Sequence, residues 1–297
     1  MQLNVSMNKD LTIFIPTFKR SDMLRSCILS IKNSLKTLNI NYEIIIVNES
    51  DEDIINLPDK EVKVLQFHKE VLPCYAMYYA LKESQGRYFL RVDDDNEINV
   101  DLIPLLYNYI IKNKDVAYCG ALGIRENGDI SNPGTILSKY LKLSIRPINI
   151  ESEAYEVDLV DNVYIMNKGL IDIKNFYKSC EFFPWSFEDG YDQVRLKKLG
   201  YKIVVLSRAL SVHHKHRNRI NSKQVYYYGR SKIILYKSIF KFNFIKFILL
   251  SFITFLYVPY IYKSDIKDVK DFAVIYINYI KGSIDGLRFL SKNRILF

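Results

Sequence analysis

Three consecutive aspartates follow an apolar strand, and their type and spacing suit a bound cation. The stretch Tyr88–Asn96 reads YFLRVDDDN. Adjacent carboxylates repel one another and strands disfavour Asp, so a chain that keeps three of them at a strand end usually holds a cation there. Asp93 and Asp95 are two apart and would share one side of an extended backbone. Oxygen ligands with open coordination positions suit Mg²⁺ or Mn²⁺ shared with a phosphate, whereas an acidic turn or a Ca²⁺ loop is the alternative.

A second group of polar residues surrounds an acidic pair. Residues 182–192 read FFPWSFEDGYD and contain the only Trp of the chain. Glu188 and Asp189 stand at the start of a predicted helix that runs to Lys198. The free N–H groups at a helix N-terminus stabilise a carboxylate in its charged form, and such a group can accept a proton from a reacting hydroxyl. A simple N-cap is the alternative for Asp189.

Three of the four histidines follow the last predicted strand, in the sequence VHHKH at residues 212–216. A neutral imidazole is a good ligand for Mn²⁺. His213 is the first candidate, while His214 and His216 are weaker. A surface histidine at a strand end is the alternative interpretation.

Alternating strands and helices must position these residues. Strands are predicted at 11–18, 43–47 and 62–67 and before the aspartate triplet, with helices at 23–38 and 73–84. This alternation predicts an α/β fold with a mixed, mainly parallel sheet and helices on both faces. Ligands bind at the carboxyl ends of such strands. Thr17, Asn48, Glu49 and the triplet all lie at such ends.

The remaining elements of this part are less regular. We expect a helix at 102–111 and strands at 117–124, 158–166 and 201–206, with Asn127-Gly128 as a hairpin turn. Residues 134–156 are predicted to form a mobile loop over the site.

The excess positive charge lies at the C-terminal end. The net charge is +9, and from Lys223 onward there are thirteen Lys or Arg and four Asp, so the first 222 residues are neutral. A basic, apolar tail favours an anionic membrane surface. Nucleic acid is a weaker alternative, because no nucleic-acid-binding motif accompanies the charge. The start of the sequence has no apolar signal region.

The tail predicts a helical module at residues 223–297, after a main domain at 1–222. Arg230, Lys237 and Lys241 would share a helix face. Residues 247–262 carry no charge but include Pro259 and are shorter than a typical membrane span. We expect a helix in the membrane interface, while a short span and a buried or oligomer-forming helix are alternatives.

The order of these motifs resembles family 2 glycosyltransferases with the GT-A fold, in particular the rhamnosyl- and galactofuranosyltransferase-like branch. The resemblance covers roughly residues 10–235. It rests on the first strand with Pro16-Thr17, EIIIV at 43–47, the triplet, the sequence from Trp185 to Tyr201 and VHH from Val212.

The resemblance implies an inverting transferase that uses a nucleoside diphosphate sugar and Mn²⁺ or Mg²⁺. It implies that Asp95 contacts the metal, that Asp93 contacts the ribose or the metal, and that His213 completes the metal shell. Asp94 would lie in the donor site but point to the opposite side of the backbone from Asp93 and Asp95.

Further roles concern the acceptor and the nucleoside. The resemblance makes Asp189 the general base, with Glu188 as second choice, and Trp185 an aromatic platform for the acceptor sugar. Thr17 and Arg20 would lie near the base or phosphates. The acceptor is expected to be a lipid-linked or cell-surface glycan. The protein would therefore act on the cytoplasmic face of a membrane. Whether it forms a homo-oligomer is left open.

Two departures from the family pattern concern the nucleoside. Asn48 followed by Glu49 stands where the family usually has an acidic residue that reads the base. The usual A-R-N motif is also missing, and Arg91 is expected to supply the lost positive charge. The nucleotide is therefore unassigned.

Three rival functions differ in the motifs that they need. A nucleotidyltransferase needs a Gly-rich basic loop after the first strand, where this chain has IPTF at 15–18. A metallophosphoesterase needs more His and Asp ligands at strand ends. A membrane-bound sugar-nucleotide or glycan binder without activity needs only part of the site.

Overall fold

A computed structural model describes residues 8–52, 54, 61–137, 152–214, 221–238, 244–261, 266 and 268–292. The chain divides into two compact units. In its described part, the first unit comprises residues up to 137, 152–177 and 189–214. The second comprises 178–188 and the residues from 221 onward.

The first unit is built on one ten-stranded mixed sheet. Its strands are β1 (Lys9–Thr17), β2 (Tyr42–Asn48), β3 (Val62–Gln66), β4 (Gly86–Val92), β5 (Asn96–Ile98), β6 (Val116–Ile124), β7 (Ile130–Asn132), β8 (Ala154–Glu156), β9 (Val163–Asn167) and β10 (Lys202–His213). The order is β3-β2-β1-β4-β9-β6-β10-β5, with β7 on β6 and β8 on β10. Strands β1 to β4 are parallel to one another, whereas β9 is antiparallel to both neighbours. The mainly parallel α/β core is thus confirmed.

The helices that pack on this sheet follow the predicted apolar spacing. They are α1 (Ser21–Leu35), α2 (Pro73–Glu83), α3 (Leu102–Lys112) and α5 (Gly190–Lys198), while α4 (Ile173–Phe182) runs from the first unit into the second. Leu11, Ile13 and Ile15 lie in one core with residues of α1 and α3. Because strand side chains alternate, Phe14 and Phe89 face the other side, where their rings lie 5.6 Å apart.

Two strands differ from their predicted bounds. The strand predicted at 158–166 begins only at Val163, because residues 157–162 form a bend with an isolated bridge between Thr135 and Leu159. The last strand is longer than predicted and runs through a bulge to His213.

Gly86 and Gly128 lie at positions where the structure favours glycine. Gly86 begins β4, where a side chain would collide with the backbone of Thr12. The predicted hairpin at Asn127-Gly128 joins β6 and β7, with Gly128 at φ +82°. Most of the loop predicted over the site, residues 138–151, lies outside the described residues.

The second unit consists of helices and the segment 178–188. Helices α6 (Ser222–Ser238), α7 (Phe244–Ile261) and α8 (Val269–Lys292) account for most of it. In the part of the chain that the structure describes, none of the helices combines the length and hydropathy that crossing a bilayer requires.

The predicted basic face of α6 is wrong at Arg230. Its side chain is buried and donates hydrogen bonds to backbone carbonyls, and the neighbouring Lys232 is buried as well. Lys237 is half-buried, and Lys241 lies outside the described residues. The buried cations Arg230 and Lys232 therefore contact groups inside the second unit and do not form a basic surface.

Glycines bring α6 and α8 into close contact. A methyl group at Gly282 would collide with the carbonyl of Tyr226, and one at Gly229 with the carbonyl of Tyr279. A methyl at Gly286 would lie 2.9 Å from the carbonyl oxygen of Arg230. The two backbones approach so closely that only glycine fits at these positions.

Gly282→Ala should therefore destabilise the protein by roughly 1–3 kcal/mol through overpacking. Chemical denaturation followed by far-UV circular dichroism measures the loss. Lys281→Ala, at an exposed position one residue earlier, is the control and should behave like the wild type. Equal stability of both variants would contradict the close packing of α6 and α8.

Candidate active site

The carboxyl ends of β1, β2 and β4 lie at the same edge of the sheet. Thr17 is in register with Asn48 on the neighbouring strand, and β4 on the other side of β1 leads into the aspartate triplet. Strand β10 brings His213 opposite Asn96 in an antiparallel pair with β5. The sheet thus gathers most of the residues singled out in the sequence.

The triplet forms a turn, so its side chains do not alternate as on an extended strand. Asp94 is buried and accepts a hydrogen bond of 2.7 Å from the Thr17 hydroxyl. Arg20 donates to it at 3.0 Å. Burial raises the pKa of Asp94 to about 6, against the opposing effect of Arg20. Asp94 therefore ties the triplet to the end of β1.

Asp95 lies between a guanidinium and an imidazole. One of its oxygens, Oδ2, accepts a hydrogen bond of 2.7 Å from Arg20 and lies 3.6 Å from Nε2 of His213. Burial would raise the pKa of Asp95, but the nearby His213 imidazole and the Arg20 guanidinium lower it. The proximity of the Asp95 carboxylate raises the pKa of His213. The structure thus brings together Asp95 and His213, as predicted.

His214 points to a different partner. Its Nδ1 lies 2.7 Å from the Glu126 carboxylate. His216 lies outside the described residues.

Arg91 joins the triplet to the acidic pair. Its Nε donates to Asp93 at 2.8 Å, and its NH1 group forms a very short ion pair with Asp189. Both side chains of the second pair are buried. Burial raises the pKa of Asp189 and of Asp93, while Arg91 works against this rise. Asp93 and Asp189 are thereby held on one guanidinium.

Asp189 occupies the N-cap position of α5 but does not cap the helix with its side chain. One oxygen, Oδ2, pairs with Arg91, and a hydrogen bond from the Tyr164 phenol to the carboxylate opposes the rise of its pKa. The other oxygen, Oδ1, is shielded from solvent and has no partner at full hydrogen-bond geometry among the described residues. A buried carboxylate oxygen without a partner is costly, and such atoms often mark functional sites.

Two neighbours of Asp189 were not predicted from the sequence. Asp161 precedes β9, and burial raises its pKa to about 6, to which the charges of Asp93 and Asp189 contribute. Tyr164 lies on β9, and burial followed by the charge of Asp189 raises the pKa of its phenol. Asp161-Asn162 before an apolar strand was the available signal, because it repeats the pattern of polar residues at strand ends.

The residues proposed for the nucleoside base are engaged within the protein. The amide group of Asn48 donates to Gln66 at 2.7 Å and to the carbonyl of Glu52 at 2.8 Å. Glu49 is buried and accepts a hydrogen bond of 2.8 Å from the backbone of Val71. Base recognition by Asn48 or Glu49 stays a prediction.

The predicted acceptor residues belong to the second unit. Trp185 and Glu188 are half-buried in the segment 178–188. The Trp185 ring lies 6.3 Å from that of Tyr227. Glu188 is joined covalently to Asp189 at the boundary of the two units.

The predicted metal ligands have the right chemistry but are contacted by arginines. Among the described residues, no group of three His, Cys, Asp or Glu side chains is arranged to hold a metal ion. Asp93 pairs with Arg91, while Asp95 and His213 lie close enough to act as two ligands of a site that a diphosphate would complete. The residues present therefore fit a two-ligand site better than the predicted three-ligand one.

A family model described as Glycosyl transferase family 2 matches residues 12–159. This stretch holds β1, β2, β4 and the complete aspartate triplet. Residues 12–159 are thus similar to a family 2 glycosyltransferase domain. This supports the family predicted from the sequence, and the rhamnosyl- and galactofuranosyltransferase-like branch stays a prediction.

A solved structure shares the overall fold of the chain. The crystal structure of S. aureus TarS residues 1–349 matches with a TM-score of 0.54 at 15% identity, over 95% of this chain and 83% of the TarS chain. At this identity the likeness shows the fold alone. No curated protein matches the sequence.

Arg91→Met should destabilise the protein by about 3–5 kcal/mol at about pH 8, because it leaves buried carboxylates without their cation. A carboxyl group whose folded pKa is raised favours folding at low pH and loses that contribution as pH rises through the folded pKa. Because the substitution raises these pKa values further, the loss should be smaller at about pH 5. Urea unfolding at both pH values measures it.

Arg87→Met is the matched control, because Arg87 is exposed on the same strand. It should cost little at either pH. A loss in Arg91→Met that is independent of pH would contradict the role of Arg91 as counter-charge to Asp93 and Asp189.

Proposed function

We propose that the protein is an inverting, metal-dependent glycosyltransferase that moves a sugar from a nucleoside diphosphate sugar to a hydroxyl group of a glycan. The observation that carries this proposal is the unpartnered Oδ1 of Asp189. This carboxylate is held by the arginine that also binds Asp93 of the triplet. The candidate base and a donor-side carboxylate would thus share one guanidinium, next to the part of the chain that matches family 2.

Asp189 would act as the general base. Burial raises the pKa of Asp189, which brings it closer to the range in which a carboxylate accepts a proton efficiently. Arg91 holds Oδ2, so Oδ1 is the atom that would take the proton of the acceptor hydroxyl. Since Oδ1 is shielded, the acceptor reaches it only when the covering groups move. Direct attack by the activated hydroxyl inverts the anomeric centre.

Asp95 and His213 would hold Mn²⁺ or Mg²⁺, which when bound neutralises the charge of the leaving diphosphate. Arg20 donates to Asp95 on the same oxygen that faces His213. Arg20 therefore keeps the charge of Asp95 compensated, and we propose that it also contacts the donor diphosphate. Thr17 orients Asp94 in this arrangement.

A polyprenyl-linked or cell-surface glycan of the kind used by the rhamnosyl- and galactofuranosyltransferase-like branch is the proposed acceptor. Trp185 is the proposed platform for the sugar, and Glu188 is the second candidate for the base. A nucleotidyltransferase is less well supported, since Pro16 and Thr17 stand where a Gly-rich loop would be needed. A binder without activity is the remaining alternative.

Thermal stabilisation by nucleoside diphosphates tests the donor site. UDP, GDP, CDP, ADP and dTDP are added with and without Mn²⁺ to the wild type and to Asp95→Ala. A ligand at 100 times its Kd stabilises the folded state by about 2.7 kcal/mol. We expect one nucleotide to raise Tm in a way that requires both Mn²⁺ and Asp95.

A second variant separates binding from chemistry. Asp189→Asn should keep the nucleotide shift but lower release of the nucleoside diphosphate from the matching sugar donor by about 10²–10⁴-fold, because the base is lost. Asp101→Asn, an exposed aspartate before α3, is the control and should change neither readout. A nucleotide shift without turnover in the wild type would favour the inactive binder, and no shift with any nucleotide would overturn the proposal.

We further propose that the second unit binds a membrane surface at the cytoplasmic face. Helix α7 exposes large apolar side chains at helical spacing: Ile245, Ile248, Leu249, Phe252 and Leu256 are between 49% and 78% exposed. These residues recur at intervals of three and four and so line one face. An exposed apolar stripe of this length on a unit with excess positive charge suits insertion into an anionic lipid interface.

Co-sedimentation with lipid vesicles tests this surface. The full-length wild type should bind phosphatidylglycerol vesicles more tightly than phosphatidylcholine vesicles. Replacing Leu249 and Leu256 together by Asn should weaken binding at least about tenfold, since roughly 1.4 kcal/mol corresponds to that factor. Leu29→Asn, an exposed leucine of α1 in the first unit, should have no effect. Self-association of the wild type that the double variant abolishes, without vesicle binding, would instead indicate an oligomer interface.

A further inference from the structure

Three consecutive residues of α6 contact the segment that leads into the acidic pair. Arg230 donates hydrogen bonds of 2.7 Å to the carbonyl oxygens of Glu181 and Phe182, at the end of α4. Ser231 donates one of 3.1 Å to the carbonyl of Trp185. All of these residues lie within the second unit. The backbone of the segment is therefore held at its beginning and in its middle.

The end of the segment has an unusual backbone. Ser186 and Phe187 both have φ of +65°, in the left-handed region that favours glycine. Each such residue costs on the order of 1–3 kcal/mol and persists only where its surroundings enforce it. The two residues come directly before Glu188 and Asp189 in the chain, so their conformation fixes the backbone that precedes the acidic pair.

Lys232 contacts this strained stretch. Its ammonium group lies 5.3 Å from the centre of the Phe187 ring and 5.0 Å from that of Tyr228. The side chain is buried, and none of the described carboxylates forms an ion pair with it. Burial lowers the pKa of Lys232 to about 7, while the two aromatic faces favour its charged form. A buried lysine without a carboxylate costs stability, so a methionine there would pack more favourably.

Arg230 has its own aromatic support. Its guanidinium lies 4.6 Å from the centre of the Phe289 ring on α8, and that ring also meets Phe182 edge to face at 4.8 Å. The Phe289 ring thus fixes the Arg230 guanidinium, and the N–H groups of this guanidinium hold the end of α4.

We propose that Arg230, Ser231 and Lys232 are positioning residues for the proposed transfer reaction. They hold the segment 178–188, which carries Trp185 and Glu188 and continues in the chain into Asp189. This inference rests on the proposed function. It assigns to helix α6 the task of fixing the backbone that carries the proposed acceptor residues.

The only Trp of the chain reports on the segment directly. Acrylamide quenching of Trp185 fluorescence is measured for the wild type, Lys232→Met and Ser231→Ala, together with Tm. We expect quenching to increase at least about twofold in both variants, because the segment is released. Lys232→Met should keep or raise Tm, since a buried charge is removed. Lys223→Met, at an exposed position on the first turn of the same helix, should match the wild type.

Turnover and nucleotide binding complete the test. Both variants should keep the nucleoside diphosphate thermal shift but release the diphosphate from the sugar donor about 10²-fold more slowly, because a displacement of about 1 Å has that effect. Ser231→Ala removes a single hydroxyl group and keeps the test informative if Lys232→Met folds poorly.

The outcomes separate this inference from the proposed function. Unchanged quenching in both variants shows that these residues do not hold the segment 178–188, and increased quenching with wild-type turnover overturns their role in catalysis. A loss of turnover that only parallels a fall in Tm indicates a structural role and also overturns it. If the wild type binds no nucleotide, the proposed function fails, and the quenching result still decides whether these residues hold the segment.

Discussion

A single buried guanidinium determines how the two acidic parts of the candidate site meet. Arg91 and Asp189 are 98 residues apart in the chain and form a buried ion pair, while Arg91 also binds Asp93 two residues away. Breaking such a pair leaves an uncompensated buried charge, which is far more costly than the net contribution of the pair. The end of β4 and the start of α5 are therefore constrained together, and the chemistry proposed for Asp189 depends on this constraint.

The surroundings of Arg91 contain more carboxylates than cations. The carboxylates are Asp93, Asp94, Asp95, Asp161 and Asp189, and the two arginines among them are Arg20 and Arg91. Burial of so many acidic groups explains why the pKa of Asp94 and of Asp161 rises to about 6. An anionic donor would be repelled by such a site, so the proposed metal has an electrostatic reason: it adds the positive charge that two arginines do not supply.

The second unit uses its charges and its apolar residues for different purposes. Its buried cations contact carbonyl groups and aromatic rings of the same unit. Its exposed face on α7 is apolar. Net charge alone therefore misleads about this module, because part of the positive charge that suggested an anionic partner is buried. The proposed membrane contact rests on the exposed apolar stripe.

The sequence by itself determined the sheet core and indicated the family. Apolar runs and helix spacing are local properties, and the motifs around Thr17, the aspartate triplet and Asp189 could be read in order along the chain. Only the tertiary structure decided how the charges pair. The turn at the triplet assigned Asp94 to Thr17 and Arg20, and β9 brought Tyr164 and Asp161 close to Asp189. Such pairings depend on strand order and burial between residues far apart in the chain, and no local pattern encodes them.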